Sequence, residues 1–336
     1  MISKVRSLVG QAKSRLADLE RLLAQAAGHS HMNTLNINDF ADRSLQLQGR
    51  MAANVQSREM LIRNLTEVEF RVYSQWGEDG IINWLCAHVP VPNSRFVEFG
   101  VETFREANCR FLMHNRNWKG LVIDGGEANM RSLRQQAFFW MHDLTALASF
   151  VTAENIDSLL VGAGFGGSLG ILSIDVDGND YWIWRAIKAV DPAIVICEVN
   201  PILGDTRAIT VEYKPAFTRF EKHYSGLCFG ASIRALQHCA RQKGYSFLGT
   251  NANGINAFFV RDDLAPPILA LIQEVKAFPS RHRDSRDLSG ELSFKGGLDR
   301  LSLIADATVV DVESGETLRI GDIGQPYSDA WLAQML

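Results

Sequence analysis

The segment from Ile171 to Trp184, ILSIDVDGNDYWIW, constrains the chain more than any other. An apolar run stops there in three carboxylates and an asparagine within six positions. A run such as Ile171 to Ile174 reads as a strand buried on both faces, and open α/β sheets bind ligands at the carboxyl ends of such strands. Asp175, Asp177, Asn179 and Asp180 therefore fall where a ligand is met. A second β-branched run, Ala193 to Asn200 (AIVICEVN), ends in Glu198 and Asn200. Side by side, the two strands bring several acidic and amide groups to one crevice.

The surrounding chain alternates strand-like and helix-like stretches from about residue 70, the pattern of a doubly wound α/β sheet. Strands are expected from Phe96, Leu121, Ala137 (AFFWM), Gly170, Ala193, Tyr245 and Ile255. Helices fit between most of them, at Asn108 to Asn115, Asn129 to Gln136, Ala153 to Val161, Tyr181 to Ala189 and Ala231 to Lys243. The last two strands are separated only by Asn251 to Gly254, too short for a parallel crossover, so they pair antiparallel. Beyond the sheet, Pro266 to Phe278 reads as a helix and Ala307 to Ile320 as a hairpin turning at Ser314 and Gly315. The organisation is thus an amphipathic or coiled-coil helix over 1–27, a linker and helical segment over 28–69, an α/β domain over 70–265 and a small extension over 266–336.

Between residues 2 and 26 apolar residues recur at three and four spacing, a short heptad stripe. It suits either subunit or partner docking or a helix lying on its own domain. Residues 28–50 are polar, with His29 and His31, and read as a solvated linker. A net charge of −4 over 336 residues argues against a general nucleic-acid binder, which needs clustered Lys and Arg. The five cysteines are odd in number, lack CxxC spacing and mostly lie in apolar runs, as reduced core residues of a cytoplasmic protein would. No apolar stretch approaches the roughly 20 residues of a transmembrane helix.

Other strand ends carry their own polar residues. Glu98 and Gly100 follow the first strand, Asp124 the second and Asp143 the expected third, AFFWM. An acidic side chain about 20 residues after the first turn commonly accepts ribose hydroxyls. A GxGxxG fingerprint is absent, which argues against a tightly bound pyrophosphate. Taken together with SQWGEDGII from Ser74, FVEFGVETFREAN from Phe96, WKGLVIDG from Trp118, SIDVDGNDYWIW from Ser173, ICEVN from Ile196, FGASIRAL from Phe229 and GINAFFVR from Gly254, these residues resemble FkbM-like members of the class I S-adenosylmethionine-dependent methyltransferases. The resemblance covers about residues 70 to 262. It implies a Rossmann-like seven-stranded sheet with an antiparallel last strand. It further implies that Glu98 and Gly100 face the methionine part of S-adenosylmethionine, Asp124 the ribose and Asp143 the adenine, with Gln75 and Asp175 closing on the cofactor. The chain departs from the family at the first turn, where Val101 and Phe104 replace a small, glycine-containing loop.

Methyl transfer to an alcohol requires an oxygen that is losing its proton, and a divalent cation on hard oxygen ligands promotes that loss. Asp175 or Asp177, with Glu198 and Asn200, is similar to the metal-ligand arrangement of metal-dependent O-methyltransferases, with Mg²⁺ or Mn²⁺ as the ion. Asp180 reads as the cap of the helix that starts near Tyr181. His223 and Asp177 are the candidate proton acceptors. Tyr213, Lys214 and Tyr224 are candidates for binding an acceptor, while Trp182 and Trp184 suit packing on the sheet or stacking on a sugar ring. The expected activity is methylation of a hydroxyl on a sugar or glycan-like acceptor, the acceptor class coming only from the resemblance. Two rivals stand beside it: a nucleotide-sugar glycosyltransferase using Asp175 and Asp177 as a DxD triplet, and a non-catalytic scaffold with the same fold.

Overall fold

The computed structural model describes Arg21 and residues 40–335, so the heptad segment expected over 1–27 lies, Arg21 apart, outside the described residues. The chain divides into two compact units, 1–48 and 49–336. In the first, residues 40–48 are helical; the second begins with helical residues 49–56 (α1). The linker expected over 28–50 is therefore helical from residue 40. Its polar composition hides a narrow stripe of Gly49, Ala53 and Gln56 at four and three spacing, all buried.

The second unit is built on seven strands: β1 (Arg95–Phe99), β2 (Lys119–Asp124), β3 (Leu144–Ala148), β4 (Gly167–Ile174), β5 (Val190–Glu198), β7 (Tyr245–Thr250) and β8 (Asn256–Arg261), with β6 (Ile209–Thr210) in a separate sheet. Their order is β3-β2-β1-β4-β5-β8-β7. The first five are parallel, and β8 runs antiparallel between β5 and β7. This is the expected Rossmann-like seven-stranded sheet with a reversed last strand. Side-chain alternation along the strands feeds two cores. Phe96, Val122, Ile171 and Ile194 face one, whereas Val97, Leu121, Leu172 and Val195 face the other. Both faces are covered by helices, among them α2 (Glu78–His88), α3 (Arg110–Arg116), α4 (Glu127–Arg134), α5 (Ile156–Gly162), α6 (Asp180–Ala186) and α8 (Ile233–Lys243), with the four-residue α7 (Arg219–Lys222) on the connection after β6. Trp184 is buried against Tyr245 and Phe259, which makes it a packing residue.

Two expected elements differ. The run from Ala137 is not a strand: Phe139–Met141 forms a 3₁₀ turn, Trp140 is 79% exposed, and β3 begins at Leu144. Aromatic residues raised the strand expectation, but β preference reflects the surface a strand packs on, and here Phe138 and Phe139 instead wedge against the core edge. The helix expected from Pro266 to Phe278 stops early, as α9 (Ala265–Leu269). Past it the backbone pairs with the segment before α2, Ile62 donating to Leu271 O at 2.9 Å and Gln273 to Ile62 O at 2.9 Å.

The carboxyl-terminal part packs on the main sheet's connections. α10 (Asp299–Leu303) precedes the expected hairpin of β9 (Thr308–Asp311) and β10 (Thr317–Arg319), which pairs with β6. Among the described residues no helix is long and apolar enough to cross a membrane.

At the end of β1 the chain turns at Gly100, with φ +69°, and a Cβ there would overlap the carbonyl oxygen of Asp175 at the end of β4. Both the left-handed backbone and the close approach demand glycine. We expect Gly100→Ala to destabilise the protein by about 3 kcal/mol or to prevent folding, as measured by urea denaturation. A variant of unchanged stability would show that the turn relaxes freely.

Candidate functional site

A cleft of about 1060 Å³ opens at the carboxyl ends of β1, β2, β4 and β5. The SQWGED segment forms part of its wall through a buried carboxylate. Asp79 Oδ2 accepts the N–H groups of Val72, Tyr73 and Ser74 at 2.7–2.8 Å and the Ser74 hydroxyl at 3.0 Å. Its neighbour Glu78 accepts from the amides of Asn251 and Asn256 at the far edge of β8, at 2.6 and 2.9 Å. The loop between them carries Gln75 to the cleft.

The β1 and β2 side holds Glu98, Gly100 and Asp124, all lining the cleft. Glu98 accepts the backbone N–H groups of Asn108 and Cys109 at 2.6 and 3.0 Å. Burial pushes its pKa up to about 7 against the pull of those two donors. Asp124 Oδ1 accepts from Gly126 N–H at 2.7 Å and the Asn129 amide at 3.1 Å, while Oδ2 accepts Glu102 N–H at 2.8 Å. A carboxylate has about four acceptor positions, so roughly one remains for a ligand hydroxyl. The unusual first turn does not crowd this side with aromatic bulk, because Phe104 adopts φ +60° and is fully buried in the core.

The β4 and β5 side holds the acidic cluster. One carboxylate oxygen from each of Asp175, Asp180 and Glu198 lies within 4.8 Å of the others. Asp180 is not the helix cap: it is the first residue of α6, behind Asn179, and its carboxylate accepts Val176 N–H at 2.8 Å and Gly178 N–H at 3.0 Å in the preceding turn while belonging to the cluster. Burial, followed by the neighbouring negative charges, raises Asp175 and Glu198 well above the usual carboxylate range, and burial pushes Asp180 to about 7. Glu198 Oε2 is buried without a hydrogen-bond partner. Three hard oxygen donors in mutual repulsion, one of them unpartnered, fit a divalent cation, which would replace the protons they otherwise share.

Other expected site residues stand outside the carboxylate cluster, some of them outside the cleft. Asp143 precedes β3 rather than following it, so it lies at the amino end of the sheet, 3.0 Å from Lys119. The position after β3 belongs to Ser149 and Phe150, which line the cleft. Asp177, in a left-handed turn, lines the cleft but is 65% exposed and pairs with Arg219 at 3.1 Å, outside the three-carboxylate cluster. Asn200 borders the cleft, yet its amide donates to Leu227 O and Phe229 O, and its oxygen accepts Ile202 N–H. His223 turns to Ser225 at 2.8 Å and Asp306 at 3.6 Å, away from the cleft lining. Tyr213 bonds Glu154, and neither it nor Lys214 nor Tyr224 lines the cleft.

In their place the carboxyl-terminal segment supplies Ser280, His282, Asp284 and Arg300. Among the described residues, buried atoms of His282 (Nε2) and Arg300 (Nε) lack hydrogen-bond partners, as do Asn179 Oδ1 and Asn256 Oδ1, which line the same cleft. Only the mixed-charge run SRHRDSRD from Ser280 hinted at this contribution, and its composition suits an exposed loop equally well.

No family model and no curated protein matches this chain. Among solved structures it is similar to an S-adenosylmethionine-dependent methyltransferase from Clostridium acetobutylicum ATCC 824, at 8% identity and a TM-score of 0.33 over 55% of this chain and 90% of that one. It is also similar to an O-methyltransferase from Bacillus cereus in complex with SAH, at 11% identity and a TM-score of 0.33 over 50% of this chain and 72% of the other. The SAH-bound amino-terminal domain of EvdMO1 is matched at 12% identity and a TM-score of 0.35, over 65% of this chain and 94% of that one.

The acidic cluster has a pH signature. Its folded-state pKa values lie above unfolded ones, so the folded protein holds more protons and is most stable below about pH 4 with respect to these groups. That contribution is lost as pH rises through the raised folded-state values, about 7 for Asp180. In EDTA, Glu198→Gln is expected to be more stable than the parent by about 1–2 kcal/mol at pH 8 and nearly equal to it at pH 4. Urea denaturation at the two pH values measures this, and a constant difference would show that Glu198 is not strained by its neighbours.

Proposed function

We propose that the protein is an S-adenosylmethionine-dependent O-methyltransferase of the FkbM-like kind, assisted by a divalent cation and acting on a hydroxyl of a sugar or glycan-like acceptor. The observation that carries this reading is the division of one cleft into two chemically different sides. On one, Asp124 keeps an acceptor position at the end of β2. On the other, the Asp175, Asp180 and Glu198 oxygens converge with Glu198 Oε2 unpartnered. The first suits a nucleoside hydroxyl, and the second suits a reacting alcohol that must lose a proton.

When bound, S-adenosylmethionine supplies an electrophilic methyl group, and a cation held by Asp175, Asp180 and Glu198 lowers the pKa of the acceptor hydroxyl. The protein's own residues divide the remaining work. Asp124 accepts a ribose hydroxyl while its other oxygen positions fasten the first turn through Glu102. Gln75, carried by the loop that Asp79 gathers, and Gly100 border the methionine side. With Glu198 holding the cation, Asp177, which lines the cleft outside the three-carboxylate cluster, is the candidate to take the acceptor's proton, a role first expected of it or of His223. The buried, reduced cysteines support a cytoplasmic setting. The glycosyltransferase reading loses its triplet, since Asp177 turns to Arg219 and leaves the cluster.

Calorimetry tests both sides of the cleft. S-adenosylmethionine is expected to bind the parent protein, and Asp124→Asn to weaken that binding by about 10-fold, roughly one charge-assisted hydrogen bond. Mn²⁺ is expected to bind the parent and not Glu198→Gln, with S-adenosylmethionine affinity unaltered in that variant. Sugar-nucleotide binding in place of S-adenosylmethionine would sink the reading, as would full activity after chelation for the cation.

A further inference from the structure

The carboxyl-terminal wall of the cleft contains a buried cation with no carboxylate hydrogen-bonded to it among the described residues. Arg300 is 2% exposed; its Nη2 donates to Ser280 O at 2.6 Å and its Nη1 to Ser280 Oγ at 3.3 Å. Its Nε is buried and has no partner. Asp284, whose charge it feels, is held 3.2 Å from Arg219. Ser280 Oγ also accepts His282 N–H at 3.0 Å, which ties the histidine to the same corner. The imidazole lies 4.7 Å from the Trp76 ring, and its Nε2 is buried without a partner. All three residues line the same cleft as Glu198.

A guanidinium taken out of water and met only by neutral acceptors is costly, and buried charges are ordinarily completed by an opposite one. Arginine's planar fork matches two oxygens of a carboxylate or phosphate. The acidic cluster and Asp284, which Arg219 pairs at 3.2 Å, repel an anion, whereas the Arg300 guanidinium at the Ser280 corner attracts one. That corner belongs to the β5 side: Tyr327, next to Arg300, donates to the carbonyl of Ile202 just beyond β5, whereas Asp124 stands two strands beyond β4 at the end of β2.

We propose that Arg300, with His282 beside it, receives an oxyanion on the acceptor, so that the substrate is an acidic sugar bearing a carboxylate or phosphate and not a neutral one. Calling this ligand the methyl acceptor rests on the function proposed above; the anion site itself does not.

The full chain is titrated calorimetrically with glucuronate, glucose 6-phosphate and glucose at fixed ionic strength, first without S-adenosylmethionine. At least one acidic sugar is expected to bind about 10-fold or more tightly than glucose, the tighter of the two identifying carboxylate or phosphate. Arg300→Gln is expected to erase the preference and Arg300→Lys to retain part of it, both with unchanged S-adenosylmethionine affinity. Equal or absent binding of the three sugars by the parent overturns the proposal. So does a folded Arg300→Gln that keeps the preference, or one that loses S-adenosylmethionine affinity instead, which would assign Arg300 to the cofactor's carboxylate. If Arg300→Gln does not fold, the parent's selectivity together with His282→Asn decides: the variant is expected to bind the preferred acidic sugar several-fold more weakly, and unchanged affinity counts against the site. Acidic-sugar binding without any S-adenosylmethionine binding would end the methyltransferase reading and leave the anion site standing.

Discussion

The site depends on a close approach at the middle of the sheet, where the turn after β1 lies directly on the turn after β4. Gly100 permits it, having no side chain to meet the Asp175 carbonyl. With the two turns in contact, the first turn reaches sideways to Asp124 through Glu102 N–H. Asp175 is then left to face β5 and Glu198. One missing methyl group thereby sets the spacing of both sides of the cleft.

That spacing concentrates negative charge. Asp175, Asp180 and Glu198 repel one another in a place that solvates them poorly, and their raised pKa values express the cost. Such an arrangement persists when protons or a cation neutralise it. In the same cleft, on its β5 side, Arg300 has the reverse problem, a buried positive charge hydrogen-bonded only to Ser280 among the described residues. The two do not neutralise each other; unlike charges kept apart in one cleft are suited to holding a ligand that bridges them.

The β-branched runs and the short Asn251 to Gly254 connection made the sheet and its reversed strand legible, because burial on both faces and loop length leave few topologies. The acids that end in apolar runs were legible for the same reason: Glu98, Asp124, Asp175 and Glu198 all reach the cleft. Asp143 was misplaced through one shifted strand, since an error in where β3 begins moves a residue from one end of the sheet to the other. His223 left the cleft because loop side chains answer to tertiary neighbours, here Ser225 and Asp306, that lie close in space and not in pattern.

Periodicity and strand-terminal acids thus determined, from the sequence alone, a doubly wound sheet with a polar crevice at its carboxyl edge. Which acids share a cluster was decided only by the tertiary structure, through turns that directed Asp180 inward and Asp177 outward. The contribution of Ser280, His282 and Arg300 was likewise decided there. It arises because the chain, after leaving the sheet, pairs at Ile62 and returns over the strand ends, a path set by long-range backbone hydrogen bonds that leave no local trace.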